Sequence, residues 1–305
     1  MTEHKTQLMG EAKIIALATD GSSYTDGAVQ ETIFLAQGCG AKIVVLNVIS
    51  VDSESTTGLL ASPMTVSQEV TDYLDNIKKM ADDSGIECEI IVEESYYRPD
   101  KTIVDLAYKH KADVLVMGRH GKRGLLKLLV GSMTSKVIGH GFPQVLVVPN
   151  GFSIRGEKIL LATDGSDAAE TAAETAISMG KNCSDLKQIH VLSVTSSESE
   201  LEQAQALTQA VCIQGQEQAP SVNFYPLALV GKPSADVIAK TAEEKQVDMI
   251  LIGGHGKGLT KLLMGHVTEK VIGRTHCAVL VIEKKKTTEK TAESSKSSEN
   301  SEGSE

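Results

Sequence analysis

At 305 residues, against a common scale of roughly 150 per domain, the chain is long enough for two domains, and 41% hydrophobic residues suffice for a core in each. Thirty basic residues against 40 acidic ones leave a formal charge of −10, a field that repels phosphate backbones and anionic membranes and argues against a nucleic-acid binder. No apolar run approaches the roughly 20 residues of a membrane span, and MTEHKTQLMGEAK carries no apolar stretch of signal-peptide length, so a cytoplasmic protein without a membrane partner is expected.

In chain order, IIALA (14–18) reads as a strand and leads into ATDGS (18–22). Residues 23–38 follow as a helix, with Val29, Ile33 and Ala36 on one face and Gly38 as the stop. KIVVLNV (42–48) is the second strand, and DSESTTGLLASPM (52–64) reads as a mobile loop. A helix over 66–84, a strand over 87–92, a helix over 100–110, a strand over 113–118, a helix over 132–139 and a strand over 144–148 complete the unit. The strands are nearly unbroken β-branched runs, as parallel strands covered on both faces require. NGFSIRG (150–156) has the turn residues of a linker. Strands recur near 157–162, 187–194, 222–229, 248–252 and 278–282, and the segment 284–305 reads as a disordered tail.

The second series is a copy of the first. ATDGS returns at 162–166, DVLVMGRHGK (113–122) is answered by DMILIGGHGK (248–257), and KLLVG (127–131) by KLLMG (261–265). The predicted architecture is therefore α/β: two tandem doubly wound domains, 1–149 and 157–283, each a five-stranded parallel sheet flanked by four helices. The apolar last strands, 144–148 and 278–282, are expected to pair within the chain, with a homodimer as the other way to cover them. The cysteines Cys39, Cys88, Cys183, Cys212 and Cys277 show no CxxC spacing and read as buried thiols, and the scattered histidines give no metal motif.

Ligands of such sheets bind beyond the carboxyl ends of the strands. After strand four come Gly118, Gly121 and, nine residues on, Gly131-Ser132 at the start of a helix. Glycines allow close backbone approach, and a helix start offers unpaired N–H groups, which is chemistry for phosphates. Ser132 and Thr134 offer hydroxyls, while Lys122, Arg123 and Lys127 add local positive charge. The plainer alternative is an ordinary loop with Ser132 as helix cap. No GxxxxGK[ST] is present, and the glycines follow strand four instead of strand one, so neither a P-loop nor a Rossmann dinucleotide site is indicated. His120 and His255 sit at equivalent loop positions and, with no carboxylate at a fixed spacing, read as packing residues.

These motifs together resemble the universal stress protein family, whose nucleotide-binding members carry G-x2-G-x9-G-(S/T) after strand four. The resemblance covers about residues 13–149 and 157–283, and the first copy matches the spacing position by position. It implies a Rossmann-like, cytoplasmic stress-response module that binds ATP, which can bring Mg²⁺, and that acts on a protein partner of unknown identity. The adenine and ribose side would be held by Asp20 and the Val48 backbone, and the phosphates by Gly118, Gly121, Gly131, Ser132 and Thr134. For Asp20 a helix-capping role is the alternative. A second set, Asp164, Val194, Gly253, Gly256 and Gly265, is degenerate: its loop is one residue shorter and has His266 in place of the serine. Tyr96 stands where the second copy has Gly231 and is expected first as an exposed loop residue, with narrowing of the first pocket or stacking on an adenine as the alternatives. Phosphate holders without an evident group to activate water point to binding in preference to turnover. A nucleotide-independent interaction protein, and less so a slow ATPase or ATP-using enzyme of the same fold, are the competing readings.

Overall fold

A computed structural model of the chain describes residues 7–51, 67–120, 130–255 and 264–284. The expected loop over 52–64 and the tail beyond Lys284 lie outside them. The first half runs β1 (Ile14–Ala18), α1 (Asp26–Cys39), β2 (Lys42–Ser50), α2 (Gln68–Asp83), β3 (Cys88–Ser95), α3 (Pro99–Lys109), β4 (Val114–Gly118), α4 (Ser132–Gly139) and β5 (Gln144–Val148). The second runs β6 (Lys158–Ala162), α5 (Asp167–Asn182), β7 (Gln188–Thr195), α6 (Leu201–Gln218), β8 (Asn223–Val230), α7 (Ser234–Lys245), β9 (Met249–Gly253), α8 (His266–Arg274) and β10 (Ala278–Ile282).

All ten strands form one sheet in the order β3-β2-β1-β4-β5-β10-β9-β6-β7-β8. Each half is parallel, and the halves join through the antiparallel pair β5 and β10, with Leu146 opposite Leu280 and Val145 opposite Val281. Alternate strand residues feed two cores. Ile15 and Leu17 pack with α1, α2, α5 and α6 on one face, while Ala16 and Ala18 pack with α3, α4, α7 and α8 on the other. Burial on both faces is the reason the strands read as continuous apolar runs. No helix among the described residues is long and apolar enough to cross a membrane.

Two expectations need correction. Helix α1 runs past Gly38 to Cys39 and stops at Gly40, whose φ of 70° supplies the left-handed turn; Gly38 is buried inside the helix. Cys39 is half-buried, whereas the other four cysteines are buried. The linker is packed: Ile154 is 4% exposed and Phe152 packs against both cores.

Carboxylates fasten the start of each half. Asp113 accepts the N–H groups of Lys13 and Ile14, and Asp248 accepts those of Arg155, Glu157 and Lys158 along with Nε of Arg155. Glu31 of α1 reaches the linker, where its Oε2 accepts the Ile154 N–H at 3.0 Å. Burial pushes the Glu31 carboxyl up to about 7, against the linker bonds that favour the charged form. A raised carboxyl contributes stability below its unfolded value, and that contribution is lost as pH rises from about 4.5 through about 7. Over this window the wild type should lose about 3 kcal/mol of stability that Glu31→Gln retains. Urea denaturation across pH 4.5–8 checks this, and parallel profiles would contradict it.

Candidate functional site

From β1 the chain builds outward to β2 and β3, then returns to the other side of β1 to lay down β4 and β5. Loops leaving the carboxyl ends of β1 and β4 therefore diverge and open a crevice, and β6 and β9 repeat the arrangement in the second half.

In the first half Asp20 lies beyond β1, Val48 in the last part of β2, Gly118 at the end of β4, Gly131 just before α4, and Ser132 and Thr134 in its first turn. Asp20 does not cap α1, since Thr25 holds that position; its Oδ1 accepts the N–H of Ser22 at 3.2 Å and the Ser22 hydroxyl at 2.5 Å. Val48 is half-buried. Gly118 is a glycine for reasons of packing, because a Cβ there would stand 3.3 Å from Thr25 Cγ2 and from the His120 carbonyl oxygen. Gly131, not Ser132, is the N-cap of α4. The Gly131 N–H is engaged with the Arg119 carbonyl at 2.8 Å, and the first helical bond is from Ser135 N–H to Gly131 C=O. The donors left at this helix start are the N–H groups of Ser132, Met133 and Thr134, together with the exposed Ser132 hydroxyl. Thr134 is 3% exposed and donates its hydroxyl to the Gly118 carbonyl at 3.0 Å, which ties α4 to the end of β4. Gly121, Lys122, Arg123 and Lys127 lie outside the described residues, as does Gly256.

The second half keeps the same skeleton. Gly265 caps α8, its N–H bonds the Gly254 carbonyl at 2.8 Å, and the Thr268 hydroxyl donates to the Gly253 carbonyl at 2.8 Å. Here a cavity of about 310 Å³ is lined by Asp164, Val194, Gly253 and Gly265 of the expected set, with Ser234, Ile238, His255 and His266. A larger cavity of about 590 Å³, lined by Glu11, Asp113 and Glu174 among others, lies away from the crevices at the amino ends of β4 and β5.

His255 is more than a packing residue. Its Nδ1 is hydrogen-bonded to Glu283 Oε1, both side chains are buried, and its Nε2 has no partner among the described residues. His120 also has a buried Nε2 without such a partner, and burial, aided by the neighbouring Arg119 charge, lowers its pKa. Glu283 escaped sequence reasoning because it lies 28 residues from His255, just past the last strand. Aligning the closing strands of the copies would have exposed it, since Pro149 holds that place in the first. Tyr96 is 56% exposed, with its hydroxyl donating to Glu94 at 3.2 Å. At the matching Gly231 a Cβ would meet Val237 Cγ2 at 2.6 Å, so that glycine admits α7.

Comparison with known proteins gives a consistent result. The family model described as Universal stress protein family matches residues 11–149 and 156–283. A universal stress protein of Methanocaldococcus jannaschii is 32% identical over 142 residues, covering 45% of this chain and 81% of the relative. One from Mycolicibacterium smegmatis is 24% identical over 88% of this chain and 96% of its own length. The crystal structure of a universal stress protein from Archaeoglobus fulgidus superposes with a TM-score of 0.65 at 19% identity, covering 88% of this chain and 96% of that one, a likeness of fold.

The bonding at α4 separates two neighbouring hydroxyls. Thr134→Ala strands the buried Gly118 carbonyl and should cost about 1–3 kcal/mol. Ser132→Ala should stay within about 0.5 kcal/mol. Urea denaturation of both variants checks this, and equal losses would contradict it.

Proposed function

The chain belongs to the universal stress protein family, and from that premise we propose that it is an adenine-nucleotide-binding regulatory module that holds one ATP in its first half. The observation that carries this reading is the seating of Gly118, Gly131 and Ser132, at the family's spacing, where the strand order reverses between β1 and β4. At that place the start of α4 offers successive N–H groups, an exposed hydroxyl and the positive end of the helix, which suits an anion. Asp20, in the loop after β1, and Val48, in β2 on the far side of β1 from β4, supply the adenine and ribose side. Thr134 acts by holding α4 in place, since its hydroxyl is engaged with Gly118. Any Mg²⁺ comes with the nucleotide.

Occupancy, not turnover, is the proposed signal. Efficient hydrolysis needs a positioned group to orient water, and in the first half His120 has no bonded carboxylate among the described residues. ATP in this scheme sets the conformation presented to a protein partner in the cytoplasm.

Calorimetric titration of the full chain with ATP tests the reading. One equivalent should bind. Ser132→Ala should weaken it about tenfold to a hundredfold, the worth of a hydrogen bond to a charged group. Gly131→Val should do more, and adenosine should lose little from Ser132→Ala. Folded variants that bind ATP as the parent does would make the loop purely structural.

A further inference from the structure

The two halves differ most in what stands behind one histidine. Where the first half has Arg119, His120 and Pro149 in the stretches after β4 and β5, the second has Gly254, His255 and Glu283 after β9 and β10. Gly254 carries no Cβ, and the space a Cβ would take is filled by the Glu283 carboxylate. That carboxylate is hydrogen-bonded to Nδ1 of His255. A carboxylate only accepts, so the imidazole keeps its proton on Nδ1, its ring is held in one plane, and Nε2 presents a lone pair. His255 is 7% exposed and lines the 310 Å³ cavity of the second half, and its Nε2 is without a partner among the described residues. Glu283 supports the imidazole from behind and is not one of the residues that line the cavity.

Groups of the opposite kind stand on the neighbouring wall. The first helical bond of α8 runs from the Glu269 N–H to the Gly265 carbonyl, so the N–H groups of His266, Val267 and Thr268 have no partner inside the helix. All three residues line the same cavity. His255 lies against this helix start, since a Cβ on Gly265 would stand 3.6 Å from His255 Cα. The remaining wall is apolar, formed by Leu192, Val194, Ile238 and Ile252. None of the described lining residues is a lysine or arginine, and the one charged side chain among them is the Asp164 carboxylate, so a phosphate ester would find no counter-charge. A lone pair that takes a proton, beside N–H groups that stabilise a developing oxyanion, is the set needed to add water to an uncharged carbonyl.

We propose that the second half hydrolyses small, uncharged carboxylic esters, with His255 as the general base and Glu283 as its positioning residue. Nε2 takes a proton from water as the water oxygen bonds to the ester carbonyl carbon. The carbonyl oxygen becomes an oxyanion held by the α8 N–H groups. Its collapse breaks the bond to the alkoxy oxygen, which leaves as the alcohol with the proton that Nε2 returns, and the carboxylic acid gives its own proton to solvent. Water is the sole co-reactant. The proposal stands apart from the reading that the first half binds ATP.

Release of p-nitrophenolate from p-nitrophenyl butyrate by the full chain decides it. His255→Gln should lower kcat/KM by about a hundredfold or more, the low end of what a general base contributes. Glu283→Gln should lower kcat and leave KM unchanged, because the carboxylate orients the base without reaching the cavity, and a purely structural role would not separate the two constants. Ile238→Phe, which fills the cavity from its apolar wall and leaves the histidine and its carboxylate in place, should abolish turnover by an independent route. His120→Gln, in the first half, should change nothing. A parent no faster than His255→Gln, an equal loss from His120→Gln, or hydrolysis of p-nitrophenyl phosphate at a comparable rate would overturn the proposal. Competitive inhibition of ester turnover by ATP would overturn it too, and an absence of ATP binding would bring down the first-half reading alone.

Discussion

The pairing of β5 with β10 is the constraint on which the architecture rests. Each half ends in an apolar strand that would be an open sheet edge in isolation, and joining the two covers both edges at once. Because the pair is antiparallel, the strands of the two halves point in opposite directions. Their carboxyl ends, and with them the two crevices, therefore lie at opposite ends of the strands of one ten-stranded sheet. The two cores run through both halves, and the packed linker with its Glu31 and Asp248 contacts fastens the joint. Arg119 adds a contact across it, its Nη1 donating to the Gly273 carbonyl near the end of α8.

The two copies share the bonds that build a crevice and differ in the side chains around it. The glycine caps of α4 and α8 are tied to carbonyls after β4 and β9 at the same 2.8 Å, and Thr134 and Thr268 make equivalent bonds to Gly118 and Gly253. These contacts satisfy buried backbone groups, and losing any of them is costly whatever the ligand. Ser132 against His266, and Pro149 against Glu283, are under no such restraint. The chemistry of the two crevices could diverge while the fold stayed fixed.

Much of the fold was legible because burial on both faces leaves an unmistakable record in strands such as IIALA and AVLVI, and the repeat doubled every signal. Ends were less legible where tertiary packing decides them. Gly38 looked like a stop, yet it faces the core, and the left-handed turn falls on Gly40. The site was legible as a set of positions but not as a set of bonds. Sequence spacing brought Gly131 and Thr134 to the helix start, and it could not reveal that the Gly131 N–H and the Thr134 hydroxyl are engaged within the protein. Glu283 and His255 meet only because Gly254 leaves room, a three-body fit with no local signature.

The central claim is that the nucleotide sits in the first half. Photolabelling of the full chain with an azido-adenine ATP analogue, followed by peptide mapping, tests it most directly, because the label reports location independently of affinity. Labelling of peptides around Asp20 and Val48, protected by excess ATP, is the predicted result. ATP-protected label concentrated in residues 157–283 would contradict it.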